Sequence, residues 1–209
     1  MATGASAQTV IGENEPYQKC IDLSKSNPTQ ALTYSERWIN VESTPSSLHC
    51  RALVLFGQNH FDEAAKVLDR LGIAIKNASP RLRLGVYRQT ARAWQRAGAE
   101  KTAIARLSDA LDLIEPERND AVMRREQVEI LIERAMMYSH IGKPLDGIQD
   151  LDQALTLGIQ ADRILMTRAK IEAAHNQQDL AIRDVEAVLR NNPKNQEAQE
   201  LLRVIVAKP

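Results

Sequence analysis

The sequence predicts an all-α solenoid, built from about five antiparallel helical hairpins and closed by a C-terminal helix. Three observations predict it. A pattern of small and bulky residues recurs along most of the chain, the composition favours helix, and proline and glycine mark helix starts and turns. Aromatic residues make up only 4% of the 209 residues, whereas Ala, Leu, Arg, Glu and Gln abound. Such a chain has many helix formers and few strand formers.

The repeat is anchored on Ala31, Ala64, Ala103, Gly147 and Ala181, which lie 33, 39, 44 and 34 residues apart. Twelve residues before the last four anchors come Ala52, Ala91, Ala135 and Ala169, all small. Sixteen before them come the bulky Leu48, Tyr87, Leu131 and Leu165. Nine before come Leu55, Trp94 and Tyr138, with Glu172 as the exception. Leu68, Leu107, Leu151 and Val185 follow each anchor by four, and Leu71, Ala110, Ala154 and Val188 by seven. Offsets of four and seven share a helical face. Small residues on either side of a turn let two antiparallel helices approach closely. One hairpin cannot bury its apolar face alone, so neighbouring hairpins stack.

The boundaries follow in chain order. Pro16, Pro45, Pro80 and Pro193 stand at helix starts or between hairpins, where a missing N–H costs little. Gly98 and Gly142 fall between paired helices, where a left-handed residue is often needed. The two wide spacings predict longer helices or loops near Gly72–Pro80 and Pro116–Ala121. Asn191-Asn192-Pro193 reads as a stop, and Gln196–Val206 as a last amphipathic helix whose Leu201, Leu202 and Val206 cover the end of the stack.

These slots resemble the tetratricopeptide repeat over roughly residues 16 to 209. Leu131-Ile132-Glu133-Arg134-Ala135, then Gly142, then Ile148 to Leu155, is similar to a standard copy; Asp184 to Leu189, ending at Pro193, is another. The resemblance implies a right-handed superhelix and a protein or peptide partner held in a concave groove lined by the first helix of each hairpin. On the matching positions that groove holds His49, Leu53 and Phe56, then Arg88, Arg92 and Arg96, then Ile132 and Met136, then Arg163, Met166 and Lys170. An apolar floor flanked by basic residues suits a segment with apolar anchors and acidic or carboxylate groups. Some family members hold a chaperone's C-terminal carboxylate, but the asparagines of that clamp are missing here. The arginines read equally as solvated helix surface. A second reading of the whole chain is a self-assembling homo-oligomer joined through the Leu201–Ile205 face.

Cys20 and Cys50 lie in the first helices of hairpins one and two. Equivalent helices of a solenoid pack side by side, within reach of a disulfide if both cysteines face inward. The alternative is two buried thiols acting as small hydrophobes. A cysteine in each of the first two hairpins also resembles exported tetratricopeptide proteins of alpha-proteobacteria. Residues 1–15 read as a disordered tail. Ala5-Ser6-Ala7 has the small-x-small form that precedes a signal-peptidase cut, but no basic or apolar leader region accompanies it. A bridge and a processed tail imply an exported, periplasmic protein; free thiols and an ordinary tail imply a cytoplasmic one.

No apolar run approaches the roughly 20 residues that span a bilayer. Charge is balanced at 27 basic against 27 acidic residues, so no overall field favours nucleic acid or an anionic membrane. The four histidines show no metal-ligand spacing, and no phosphate-binding, dinucleotide or nucleophile-elbow motif occurs. His60 and His140 read as helix C-terminal residues, and Asp146, Asp150 and Asp152, like Glu115, Glu117 and Asp120, as solvated faces and loops. The expectation is a non-enzymatic binding protein without metal or cofactor.

Overall fold

The computed structural model describes residues 11–12, 14–114 and 120–207. Among them are eleven α-helices and no strand. The chain divides into two compact units between Leu113 and Ile114. The expected loop near 116 falls largely on residues 115–119, with Glu115 and Glu117, outside the described residues. So do residues 1–10 and 13 of the expected tail. Ile11 packs against the core, Asn14 caps the first helix and Glu15 begins it, so ordered structure starts ahead of Pro16.

The first unit holds α1 (Glu15–Ser26), α2 (Pro28–Val41), α3 (Pro45–Gly57), α4 (Phe61–Ala74), α5 (Pro80–Arg96) and most of α6 (Glu100–Ile114). The second holds α7 (Ala121–His140), α8 (Pro144–Thr156), α9 (Ala161–Ala174), α10 (Gln178–Asn191) and α11 (Gln196–Val206). Much of the extra length between the middle anchors lies in longer helices. α5, α6 and α7 have 17, 15 and 20 residues, and Gly72 sits inside α4 rather than in a loop.

Helix starts differ by place in the hairpin, apart from α2, which Asn27 caps, and α9, which has no side-chain cap. α1, α3, α5 and α7 are capped by side chains of Asn14, Thr44, Ser79 and Asp120, each accepting a free backbone N–H of the first turn. The second helices α4, α8 and α10 have no such cap. They follow a tight turn whose left-handed residue is Asn59, Gly142 or Asn176, and Gly98 plays this part before α6. All four stand five residues before their anchor. The next residue closes each turn on the carbonyl of the slot nine before the anchor: His60 on Leu55, Ala99 on Trp94, Lys143 on Tyr138 and Gln177 on Glu172. His60 therefore stands at the N-terminus of α4 and not at a helix C-terminus; His140 does end α7.

In the first unit, Tyr17, Cys20, Ala31, Trp38, Cys50 and Val54 form one apolar cluster, and α3 and α4 pack with Val86 and Ala93 of α5 in another. Cys20 and Cys50 are joined in a disulfide, with Cα atoms 6.2 Å apart. In the second unit Met166, Ala169, Ala181, Val185 and Val188 pack with Ala198 and Ile205 of α11. Leu201 and Leu202 join that cluster as expected, but Val206 is 66% exposed and Ile205 covers the end instead. Every anchor is buried. Gly147 is so close to α7 that a Cβ there would lie 2.6 Å from the Ala135 carbonyl oxygen, which explains the one glycine among alanines.

Polar groups inside the stack are paired in register. Arg134 grips Asp150 through two hydrogen bonds of 2.8 and 2.6 Å, and Arg168 grips Asp184 through two of 2.7 and 2.8 Å. The arginine stands thirteen before the anchor in both hairpins, and the aspartate three after it. Arg168 also pairs with Asp152. Asp150 is thus a buried ion-pair member rather than part of a solvated face, and the same correction applies to the pairing of Asp152, although its side chain stays exposed.

Candidate functional site

In the first unit, the first helices of the hairpins form a polar and apolar surface whose parts lie on α1, α3 and α5. Phe56 and Leu53 come from the last turns of α3, and Gln89 and Arg92 from the middle of α5. Together with Ala52 and Leu68 they line an open cavity of about 230 Å³. Its walls are mostly apolar, with one amide and one guanidinium at hand. Arg96, a turn further along α5, lies 4.6 Å over the Phe61 ring, a cation–π contact that holds it in place.

Behind this cavity runs a hydrogen-bond chain. Gln89 Oε1 lies 2.9 Å from His49 Nε2, and the Tyr17 hydroxyl lies 2.7 Å from His49 Nδ1. The Tyr17 and His49 rings are nearly parallel, at 4°. Burial lowers the His49 pKa, with the Gln89 hydrogen bond acting the other way, and burial raises that of Tyr17. His49 was expected simply to face the groove; it is instead the link between three helices.

In the second unit, Met136, Ser139 and His140 of α7 and Thr167, Lys170 and Ile171 of α9 line a cavity of about 230 Å³. A further one of about 210 Å³ lies between α9 and α11, against Leu201, Val204 and Ile205, with Lys170 on its rim. Lys170 pairs with Glu197 at 2.5 Å, and Arg163 with Glu129 and with Gln160. Arg88 is half-buried, and Arg92, Arg163 and Lys170 are exposed.

Two expected groove residues are not on a surface. Ile132 and Met166 are only 3% and 5% exposed and belong to the packed interior. Both stand fifteen before their anchor. The slot eleven before it holds Leu53, Arg92, Met136 and Lys170, all exposed. Four residues advance a helix by about 40° beyond a full turn. That difference carries the later slot outward and leaves the earlier one against the neighbouring helix.

Glu172 was flagged by sequence only as a break in a bulky slot. It is 4% exposed, and its Oε2 has no hydrogen-bond partner among the described residues. Burial, and then the nearby charge of Asp184, raise its pKa to about 7, against the pull of Arg168. Among the described residues no group of three or more His, Cys, Asp or Glu is placed to hold a metal, and no helix is long and apolar enough to cross a membrane.

The architecture is that of an all-α hairpin repeat. More particularly, it is the tetratricopeptide-repeat fold. A tetratricopeptide repeat protein from Parabacteroides merdae superposes with a TM-score of 0.66 at 15% identity, over 92% of this chain and 73% of that one. YrrB, described as a TPR protein with an unusual peptide-binding site, gives 0.63 at 13%, over 90% of each chain. MamA from Desulfovibrio magneticus RS-1 gives 0.62 at 13%, over 88% of this chain and 98% of that one. No protein-family model matches the sequence, and no curated protein matches it.

Proposed function

We propose that this chain is a non-enzymatic adaptor that holds a segment of a partner protein against the first helices of its hairpins. One observation carries the reading: the cavity between α3 and α5, with Leu53 and Phe56 as apolar walls and Arg92 beside them. An apolar side chain enters it and a neighbouring carboxylate meets the guanidinium, a pairing that suits arginine's paired donors. Lys170 gives the α7–α9 cavity the same combination of apolar wall and cation. The peptide-binding site named for YrrB, a protein of the same fold, is in keeping with this use of it.

The test is a crosslinked pull-down from the native host with wild-type chain and with Leu53→Asp and Lys170→Glu chains of matched circular dichroism. A protein captured by the wild type and lost by the variants supports the groove. Equal capture by all three moves the binding surface elsewhere.

A second reading is a homo-oligomer joined through α11. It is favoured by Val204, 47% exposed on the α9–α11 cavity, and by Val206, 66% exposed on the same helix. Light scattering that reports a concentration-independent monomer removes it. We also infer an exported, oxidising location such as the periplasm, because a buried disulfide persists where thiols are not kept reduced. Alkylation of the unreduced host protein at both cysteines overturns that assignment.

A further inference from the structure

The α3–α5 cavity has one polar wall that the charge argument leaves unused. Gln89 turns its carbonyl oxygen away to His49, and its amide nitrogen has no protein partner among the described residues. In a pocket walled by Ala52, Leu53, Phe56 and Leu68, the only other polar side chain among the described residues is the Arg92 guanidinium. We propose that Gln89 reads a main-chain carbonyl of the bound segment, and that Tyr17 and His49 are positioning residues that fix which end of the Gln89 amide faces the ligand. The inference rests on the groove reading and deepens it.

The direction of the chain decides the recognition. A neutral imidazole has one N–H and one lone pair. With the Tyr17 hydroxyl donating to Nδ1, the proton sits on Nε2, which therefore needs an acceptor. Gln89 must offer its oxygen to His49, so its two N–H donors are what remains for a ligand. Tyr17 is itself held. It lies three residues before Cys20 on the same face of α1, and Cys20 is bonded to Cys50, the neighbour of His49. The first hairpin is thus part of the binding apparatus, although only α3, α4 and α5 line the cavity. A ligand group that covers the half-buried Gln89 without offering an acceptor leaves its donors unpaired, which selects against that ligand.

The experiment uses random twelve-residue peptides displayed on phage, selected on the full oxidised chain, with an enriched peptide then made and its Kd measured by fluorescence anisotropy. Leu53→Asp tests the groove and is expected to abolish binding. Gln89→Met and Tyr17→Phe are each expected to weaken it about three- to tenfold, the value of one hydrogen bond. In the double variant Tyr17→Phe is expected to add nothing, because its effect passes through Gln89. Nitrogen-15 spectra of His49 are expected to show a protonated Nε2 and a bare Nδ1 in the wild type, and mixed tautomers in Tyr17→Phe. A wild-type imidazole protonated on Nδ1 overturns the inference without reference to any peptide. Full loss with Leu53→Asp but none with Gln89→Met overturns the inference and leaves the groove standing. A Tyr17→Phe penalty that persists in the Gln89→Met background also overturns it. If no peptide is enriched, or the enriched one ignores Leu53→Asp, the groove reading falls and this inference falls with it.

Discussion

Replacing Glu172 with glutamine removes a charge from a slot where the other hairpins carry Leu55, Trp94 and Tyr138. The carboxyl is buried without a hydrogen-bond partner for Oε2 among the described residues, and its pKa stands at about 7 against an ordinary 4.5. A folded-state pKa above the unfolded one means that the folded chain binds the proton more tightly. Stability from this group is then complete below about pH 4.5 and is lost as the pH rises through about 7. The two values differ enough to remove about 2–3 kcal/mol across that window. Glu172→Gln, which cannot ionise, is expected to match the wild type near pH 4.5 and to exceed it by about 2–3 kcal/mol at about pH 8. Urea denaturation followed by far-ultraviolet circular dichroism, run on both chains across this range, reads the difference. The difference is the quantity that matters, since His49 acts oppositely. Burial lowers its pKa, so its contribution is complete above about pH 6.5 and is lost as the pH falls through its folded value. Parallel pH profiles for the two chains refute the assignment of a raised carboxyl to Glu172.

Gly147→Ala drives a methyl group into the Ala135 carbonyl oxygen and is expected to cost about 1–3 kcal/mol in the same assay. Gly57→Ala, at a helical glycine with nothing within 4 Å, is expected to be neutral or stabilising by up to about 1 kcal/mol. Removing Arg134 strands Asp150 in the interior and is expected to cost about 3–5 kcal/mol, whereas the joint change Arg134→Met/Asp150→Leu recovers most of that loss. A double-mutant cycle checks this. Reduction of Cys20–Cys50 is expected to remove about 2–4 kcal/mol and to lower hydrogen-exchange protection in α1 and α2 first.

The anchors, the flanking slots and the span of α11 were legible in the sequence because they depend on helical periodicity alone. Gly98 and Gly142 were legible as turn residues. Asn59 and Asn176 were not, although asparagine is the side chain most tolerant of the left-handed region and both stand in the same register. The Arg134–Asp150 and Arg168–Asp184 pairs escaped notice because sixteen residues and a turn separate the partners, outside any single-helix spacing. The slot of Leu53, Arg92, Met136 and Lys170 was legible as an exposed one. The adjacent slot was not, since whether Ile132 and Met166 face a ligand or a neighbouring helix depends on packing between helices. The Tyr17–His49–Gln89 chain joins residues 32 and 40 apart, and only the fold brings them together.

The Cys20–Cys50 bond also sets how the chain yields to force. A repeat stack held by its ends is shed hairpin by hairpin, and each hairpin adds its length to the extended thread. The 30-residue separation closed by this bond contributes nothing until the bond is reduced. An oxidised molecule drawn out fully between its termini is therefore shorter than a reduced one by about 100 Å, at roughly 3.3–3.6 Å per residue.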